Sequence, residues 1–329
     1  MALTLTSTLL SAVLFSQPDP GGDGLHVFPL STGCTTTLQA CIDNAEEGDI
    51  VDVATATPID EDLLINKSLV LRAADGISPV IGAGSTAQTL TVVVVSATAT
   101  PEQSVTVEGL TLNNTRVFVS FLTASDHSLF LRQNVIQIDD GDVITNGVFI
   151  GAEVPAQIVV EDNRIESSGT GLRLQVRSDE RVNARIARNV VTTTTPANST
   201  NGLFLELAPA SQSQVEVISN IVSGTGSVGS FAAGIKGSVQ SNSDLSVSHN
   251  TIYATQGMTH GIDLNISADA SGALNLINNT VSASTGRGYL VTSQADNGAL
   301  VTAIEGNHSF ANAEADFLFD STANQPLGT

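Results

Sequence analysis

The chain has 329 residues and a formal net charge of −21, from 33 acidic and 12 basic side chains; 41% of residues are hydrophobic and only 14% charged. A field of that sign repels nucleic acid and anionic lipid, and it disfavours polyuronate ligands unless a cation bridges them. A charged fraction below the roughly 25% of an ordinary soluble domain, made up by Ser, Thr, Asn and Gly, points to an extracellular β protein; solubility in a salty habitat is the plain alternative reading of the acidity.

Residues 1–24 read as an atypical export signal and linker. Ala2 to Phe15 is an apolar run of signal-core length, too short to span a bilayer, but no Lys or Arg precedes it. No other stretch reads as a membrane span. Residues 25–48 read as an N-terminal cap. Cys34 and Cys41 lack zinc spacing; they read equally as a local disulfide in an oxidising compartment or as two buried thiols. Thr36-Thr37-Leu38-Gln39 reads as a capping box, opening a helix over Thr37 to Glu47 with Leu38, Ile42 and Ala45 on one face and Gly48 as its stop.

From residue 49 the chain repeats. One phrase, apolar-any-apolar, two residues, Asn-any-apolar, recurs at Asn134, Asn163, Asn189, Asn220, Asn250, Asn279 and Asn307, with separations of 29, 26, 31, 30, 29 and 28 residues. Gly109 reads as the equivalent position one repeat earlier. A second phrase, Gly followed by alternating apolar residues, opens at Gly147, Gly171, Gly202, Gly234, Gly261 and Gly288. Its distance to the next Asn is nearly fixed at 16 to 19 residues, so length variation falls on the other side of the repeat.

Alternation over four to six residues means strands with one buried face. No single repeat can cover that face, whereas coils stacked strand on strand about 4.8 Å apart bury a continuous core. The expected fold is therefore all-β, a right-handed parallel β-helix of about nine to ten coils over 49–320 with a short N-terminal capping helix. Coils would start near Ile50, Leu90, Val117 and then at each Gly. Asn is expected to take the left-handed conformation at the tight turn, with its amides aligned in a ladder. Asn220→Ala is expected to cost about 1–2 kcal/mol. Residues 321–329 read as a tail without a closing cap, so that a further segment or partner is expected to cover the C-terminal end.

The Gly-Ile-x-Leu and x-Asn-x-Ile phrases, with the helix, Gly48-Asp49-Ile50-Val51 and Ile65-Asn66-Lys67-Ser68-Leu69 that precede them, resemble the pectate-lyase-like superfamily of right-handed parallel β-helices, as found in bacterial secreted proteins. The resemblance spans roughly residues 33 to 319. It implies that an active site, if present, lies on the outer face of the strand opened by Gly.

Strand alternation puts Phe149, Arg173, Phe204, Lys236, Asp263 and Leu290 outward on that strand, followed two residues on by Gly151, Gln175, Glu206, Ser238, Asn265 and Thr292. Arg173, Glu206, Lys236, Asp263 and Asn265 form a polar patch with His260 at its edge. As a lyase site it would use Lys236 as base and Glu206 with Asp263 to hold Ca²⁺. The plain alternative is a solvated ladder in which Lys236 pairs with Glu206 and Asp263. Asp139-Asp140-Gly141-Asp142 is the densest carboxylate cluster. It resembles loosely the paired aspartates of polygalacturonase-like hydrolases, without their Asn-Thr-Asp or Gly-His-Gly; an acidic loop or a calcium loop reads as well. His26, His127, His249 and His308 show no metal spacing, and no cofactor is required. With no Trp and two Tyr, strong stacking on sugars is not expected. The leading expectation is a secreted or surface-displayed, non-catalytic adhesin, scaffold or glycan-contacting module; the alternative is a polysaccharide lyase or hydrolase.

Overall fold

The computed structural model describes residues 24–82, 88–94, 102–122, 126–139, 146–177, 181–194, 200–208, 212–224, 231–240, 242–253, 258–267, 270, 272–294 and 301–321. The signal-like segment 1–23, Asp140 to Asp142 and residues 322–329 lie outside them.

The chain winds as a parallel β-helix. Three sheets of eleven, nine and ten strands run its length, and from Leu69–Ala73 onward consecutive strands fall on the first, second and third sheet in turn. His127–Arg132, Val135–Ile138 and Asn146–Ala152 make one coil; Ala156–Glu161, Arg164–Ser167 and Thr170–Val176 make the next, each strand pairing in parallel with its predecessor. Inward residues stack on inward residues. In the second sheet Leu112, Ile136, Ile165, Val191, Val222 and Ile252 form one such file, all fully buried. Each coil thereby covers the apolar face of the last.

The nine strands of the second sheet bound about eight full turns, slightly fewer than the nine to ten coils expected. The opening turn lacks a second-sheet strand and has only a bridge from Ile59 to Ile81. Ile50, counted as a coil start, lies in the first sheet, whereas Val117 and the glycine-led strands lie in the third.

The asparagines occupy one buried file. In each, the backbone N–H and Nδ2 both donate to Oδ1 of the next coil's Asn: from Asn134 to Asn163 at 3.0 and 3.1 Å, from Asn189 to Asn220 at 2.9 and 3.0 Å, and on to Asn307. Nδ2 also donates to a carbonyl of the preceding coil, as Asn220 does to Ile186.

Two details of the turn differ from expectation. The left-handed residue is the one before each Asn: Gln133, Asp162, Arg188, Ser219, His249 and Asn278 have φ of 53 to 58°. The register aligns Gly109 with Gln133, and buried Leu110 takes the Asn position, its N–H donating to Asn134 Oδ1. Asn is thus retained for its amide, which meets buried backbone groups in two coils at once. The glycines that open the third-sheet strands do not need positive φ either. A Cβ on Gly234 would lie 2.5 Å from Ile252 Cγ2 and 2.8 Å from the Gly261 carbonyl, so the constraint is close approach at the corner.

At the N-terminal end, Leu25–Phe28 adds a strand that the sequence did not reveal. The helix spans Leu38–Asn44 with Thr37 as N-cap, its Oγ1 accepting from Ala40 N at 3.0 Å. The expected capping box is absent. The Glu61 carboxylate instead accepts from Leu38 N and Gln39 N, and Lys67 Nζ donates to the Asp43 and Ala45 carbonyls. Both charges complement the helix ends. The helix stops short of Glu47 because Asp49 draws Glu46 N–H to its carboxylate and Ala45 is extended. A disulfide ties Cys41 of the helix to Cys34 before it, and Leu38 and Ile42 face the core. No helix among the described residues is long and apolar enough to cross a membrane.

Candidate functional site

The outer face of the third sheet carries the residues read as a patch, in the expected register. One file runs Phe118, Phe149, Arg173, Phe204, Lys236, Asp263 and Leu290. The neighbouring file holds Gly151, Gln175, Glu206, Ser238, Asn265 and Thr292. Most of these side chains are half-buried; Gln175 is buried, and Phe118 and Asn265 are exposed.

Their pairing differs from the expected ladder. Glu206 is taken by Arg173, whose Nη2 donates to Oε2 at 2.8 Å, and by Gln175, whose Nε2 donates to the same oxygen at 2.7 Å. The Arg173 guanidinium lies between two rings, 5.0 Å from the centroid of Phe204 and 5.9 Å from that of Phe149. Phe149 in turn stacks on Phe118, centroids 5.1 Å apart and planes 12° apart. Lys236 and Asp263, although adjacent in register, form no ion pair within 4.0 Å among the described residues. Arg reaches diagonally across a coil and supplies donors in a plane, so it wins the carboxylate that Lys236 was expected to share.

Asp263 and His260 share the strand Met258–Ile266. Burial pushes the Asp263 carboxyl up, against the pull of Lys236 and His260. Burial holds His260 below its ordinary value, with Asp263 opposing. His260 Nδ1 accepts from Arg287 N at 3.4 Å. These are the perturbations by which functional groups are recognised, though structural burial produces them too. Glu206 and Asp263 stand two coils apart, about 10 Å of backbone rise, which separates them as ligands of one cation. No group of three or more His, Cys, Asp or Glu among the described residues is placed to hold a metal ion.

Asp139 lies elsewhere, at the corner between the second and third sheets, where it lines a cleft of about 440 Å³. Sequence reasoning missed this cleft, because its other walls among the described residues are Asn113, Asn114, Gln137, Ile138, Glu166 and Thr194, which come from four different coils without a motif. It also missed Phe118, which extending the outward file back by one coil would have found.

No family model and no curated protein matches the chain. Among solved structures, an alginate lyase from Paenibacillus sp. is 14% identical, with 86% of this chain and 96% of that chain covered and a TM-score of 0.36. The A-module of a mannuronan C-5 epimerase from Azotobacter vinelandii is 12% identical, with 87% and 94% covered and a TM-score of 0.19. The fold assignment rests on the strand register alone.

Proposed function

We propose that this protein is a secreted or surface-displayed β-helix that contacts glycan without transforming it, as an adhesin or scaffold module. The observation that carries the reading is the state of the third-sheet face. Its central carboxylate, Glu206, is bound by Arg173 and Gln175, and Arg173 is held between Phe149 and Phe204. Arg173 and Glu206 thus neutralise each other, with aromatic rings in line along the axis. The face offers a contact surface, whereas proton abstraction beside a carboxylate also needs a cation to hold that carboxylate. The Cys34–Cys41 disulfide supports an oxidising compartment.

Electrophoresis through gels containing neutral polysaccharides tests the reading: retardation is expected, and Phe149→Ser should abolish it. Incubation with the same polymers should leave them intact. A second reading rests on the opposed shifts of Asp263 and His260 beside Lys236. In it the protein is a polysaccharide lyase or hydrolase, with Ca²⁺ as an optional partner. An ultraviolet-absorbing unsaturated product, lost in Lys236→Ala, would establish that reading and overturn the first.

A further inference from the structure

Gly151 stands in the middle of the strand Asn146–Ala152, on the outer face of the third sheet, between Ser120 and Gln175 of the adjoining coils. A glycine inside a strand loses more chain entropy on folding and packs nothing, so its presence needs a cause. The backbone supplies none. The φ of Gly151 lies outside the left-handed range. Apart from its chain neighbours, the nearest backbone atom to a Cβ built there would be the Val119 carbonyl oxygen at 3.8 Å, an ordinary contact. This differs from Gly234, where a carbonyl crowds the same position at 2.8 Å.

What a Cβ at residue 151 would meet is the ring of Phe149, Cε1 at 3.2 Å and Cζ at 3.5 Å. The ring therefore leans along its own strand over the space that a side chain at 151 would fill. In that position it stacks on Phe118, centroids 5.1 Å apart, and has the Arg173 guanidinium 5.9 Å from its centroid. Arg173 in turn lies over Phe204 and holds Glu206. Phe118, at the end of this row, is 41% exposed, so the stack reaches solvent. We propose that Gly151 is a positioning residue of the contact face: by leaving its place empty it lets Phe149 lean into the row, and so sets the stack of Phe118, Phe149 and Arg173 that a glycan meets. The proposal rests on the reading of the third-sheet face as a glycan-contacting surface and adds the residue that sets its shape.

Gly151→Val and Gly151→Ala, made in the full chain, test it by three measurements. In urea melts Gly151→Val should match or exceed the parent, because a β-branched residue suits a strand; marked destabilisation would mean that the glycine serves packing, and would overturn the proposal. NMR of protein labelled in its phenylalanine rings should show cross-relaxation between Phe118 and Phe149 in the parent, assigned by its loss in Phe149→Ser, and none in Gly151→Val. Gels containing neutral polysaccharide should retard the parent, and Gly151→Val should lose most of that retardation. Gly151→Ala asks the ring to give by only a few tenths of an ångström, so it should keep the ring contact and most of the retardation. A Gly151→Val protein that keeps the ring contact overturns the proposal, whatever its retardation, as does one that loses the contact and is still retarded like the parent. If no neutral polysaccharide retards the parent, the glycan reading fails, and the ring contact alone then decides whether Gly151 positions Phe149.

Discussion

Replacing Asn220 by Ala probes what the buried amide file contributes. The wild-type side chain makes four hydrogen bonds: Nδ2 donates to the Ile186 carbonyl at 2.8 Å and to Asn250 Oδ1 at 3.0 Å, and Oδ1 accepts from Asn189 N at 2.9 Å and Asn189 Nδ2 at 3.0 Å. Truncation leaves the Asn189 backbone N–H, in a residue with no solvent exposure, without its acceptor. An orphaned buried donor costs about 1–3 kcal/mol, and the remaining lost bonds add about 0.5–1.5 kcal/mol where no substitute exists. The expected destabilisation is about 3 kcal/mol, above the 1–2 kcal/mol suggested by sequence, because the amide serves backbone groups as well as its neighbours in the ladder. Asn307 serves the equivalent groups, Asn279 N and the Leu276 carbonyl, but in a part-buried setting that water can enter. Asn307→Ala should therefore cost only about 1 kcal/mol. Urea melts of both variants, followed by far-ultraviolet circular dichroism, decide the matter. Equal costs at the two sites, or a cost at Asn220 below about 1 kcal/mol, would refute the argument.

The exposed left-handed residue Ser219 has φ of 57°, so Ser219→Gly should raise stability by up to about 1 kcal/mol and Ser219→Val lower it by about 1–2 kcal/mol in the same melts. Gly234→Ala should cost about 1–3 kcal/mol, since the added methyl would press on Ile252 and the Gly261 carbonyl; a neutral outcome would mean the corner is looser than described. Burial raises the Asp263 pKa in the folded state, so its stability contribution is full below the ordinary carboxylate value and is lost as pH rises through the raised one. Asp263→Asn should accordingly raise the melting temperature at neutral pH and leave it little changed at acid pH. Asp49 behaves oppositely. Burial pushes its carboxyl up, but donation from Glu46 N, His26 and Gly24 N outweighs that and holds it below 3.8. Its contribution is present above that value and lost as pH falls through the lowered one, so Asp49→Asn should destabilise at neutral pH and flatten the acid limb of the melting curve.

What the sequence could convey was whatever the period enforces. A repeat of near-constant length fixes which residues share a register, and so the Asn file, the inward aliphatic files and the outward row from Phe149 to Leu290 were all legible. What it could not convey was choice among neighbours in the same row. Arg173 and Lys236 stand one coil to either side of Phe204, and both could reach Glu206; a planar guanidinium held between two rings reaches it, and a flexible ammonium does not. Nor could it separate adjacent turn positions. Asn is the residue expected in the left-handed conformation, so its recurrence concealed that the strain falls on Gln133, Asp162, Arg188 and Ser219, whose varied identities carry no pattern. Tolerance of such varied residues at a costly φ is itself informative. The turn is held by the ladder amide that follows, and the preceding residue accepts a strained backbone of about 1–2 kcal/mol because that geometry delivers the amide to two coils.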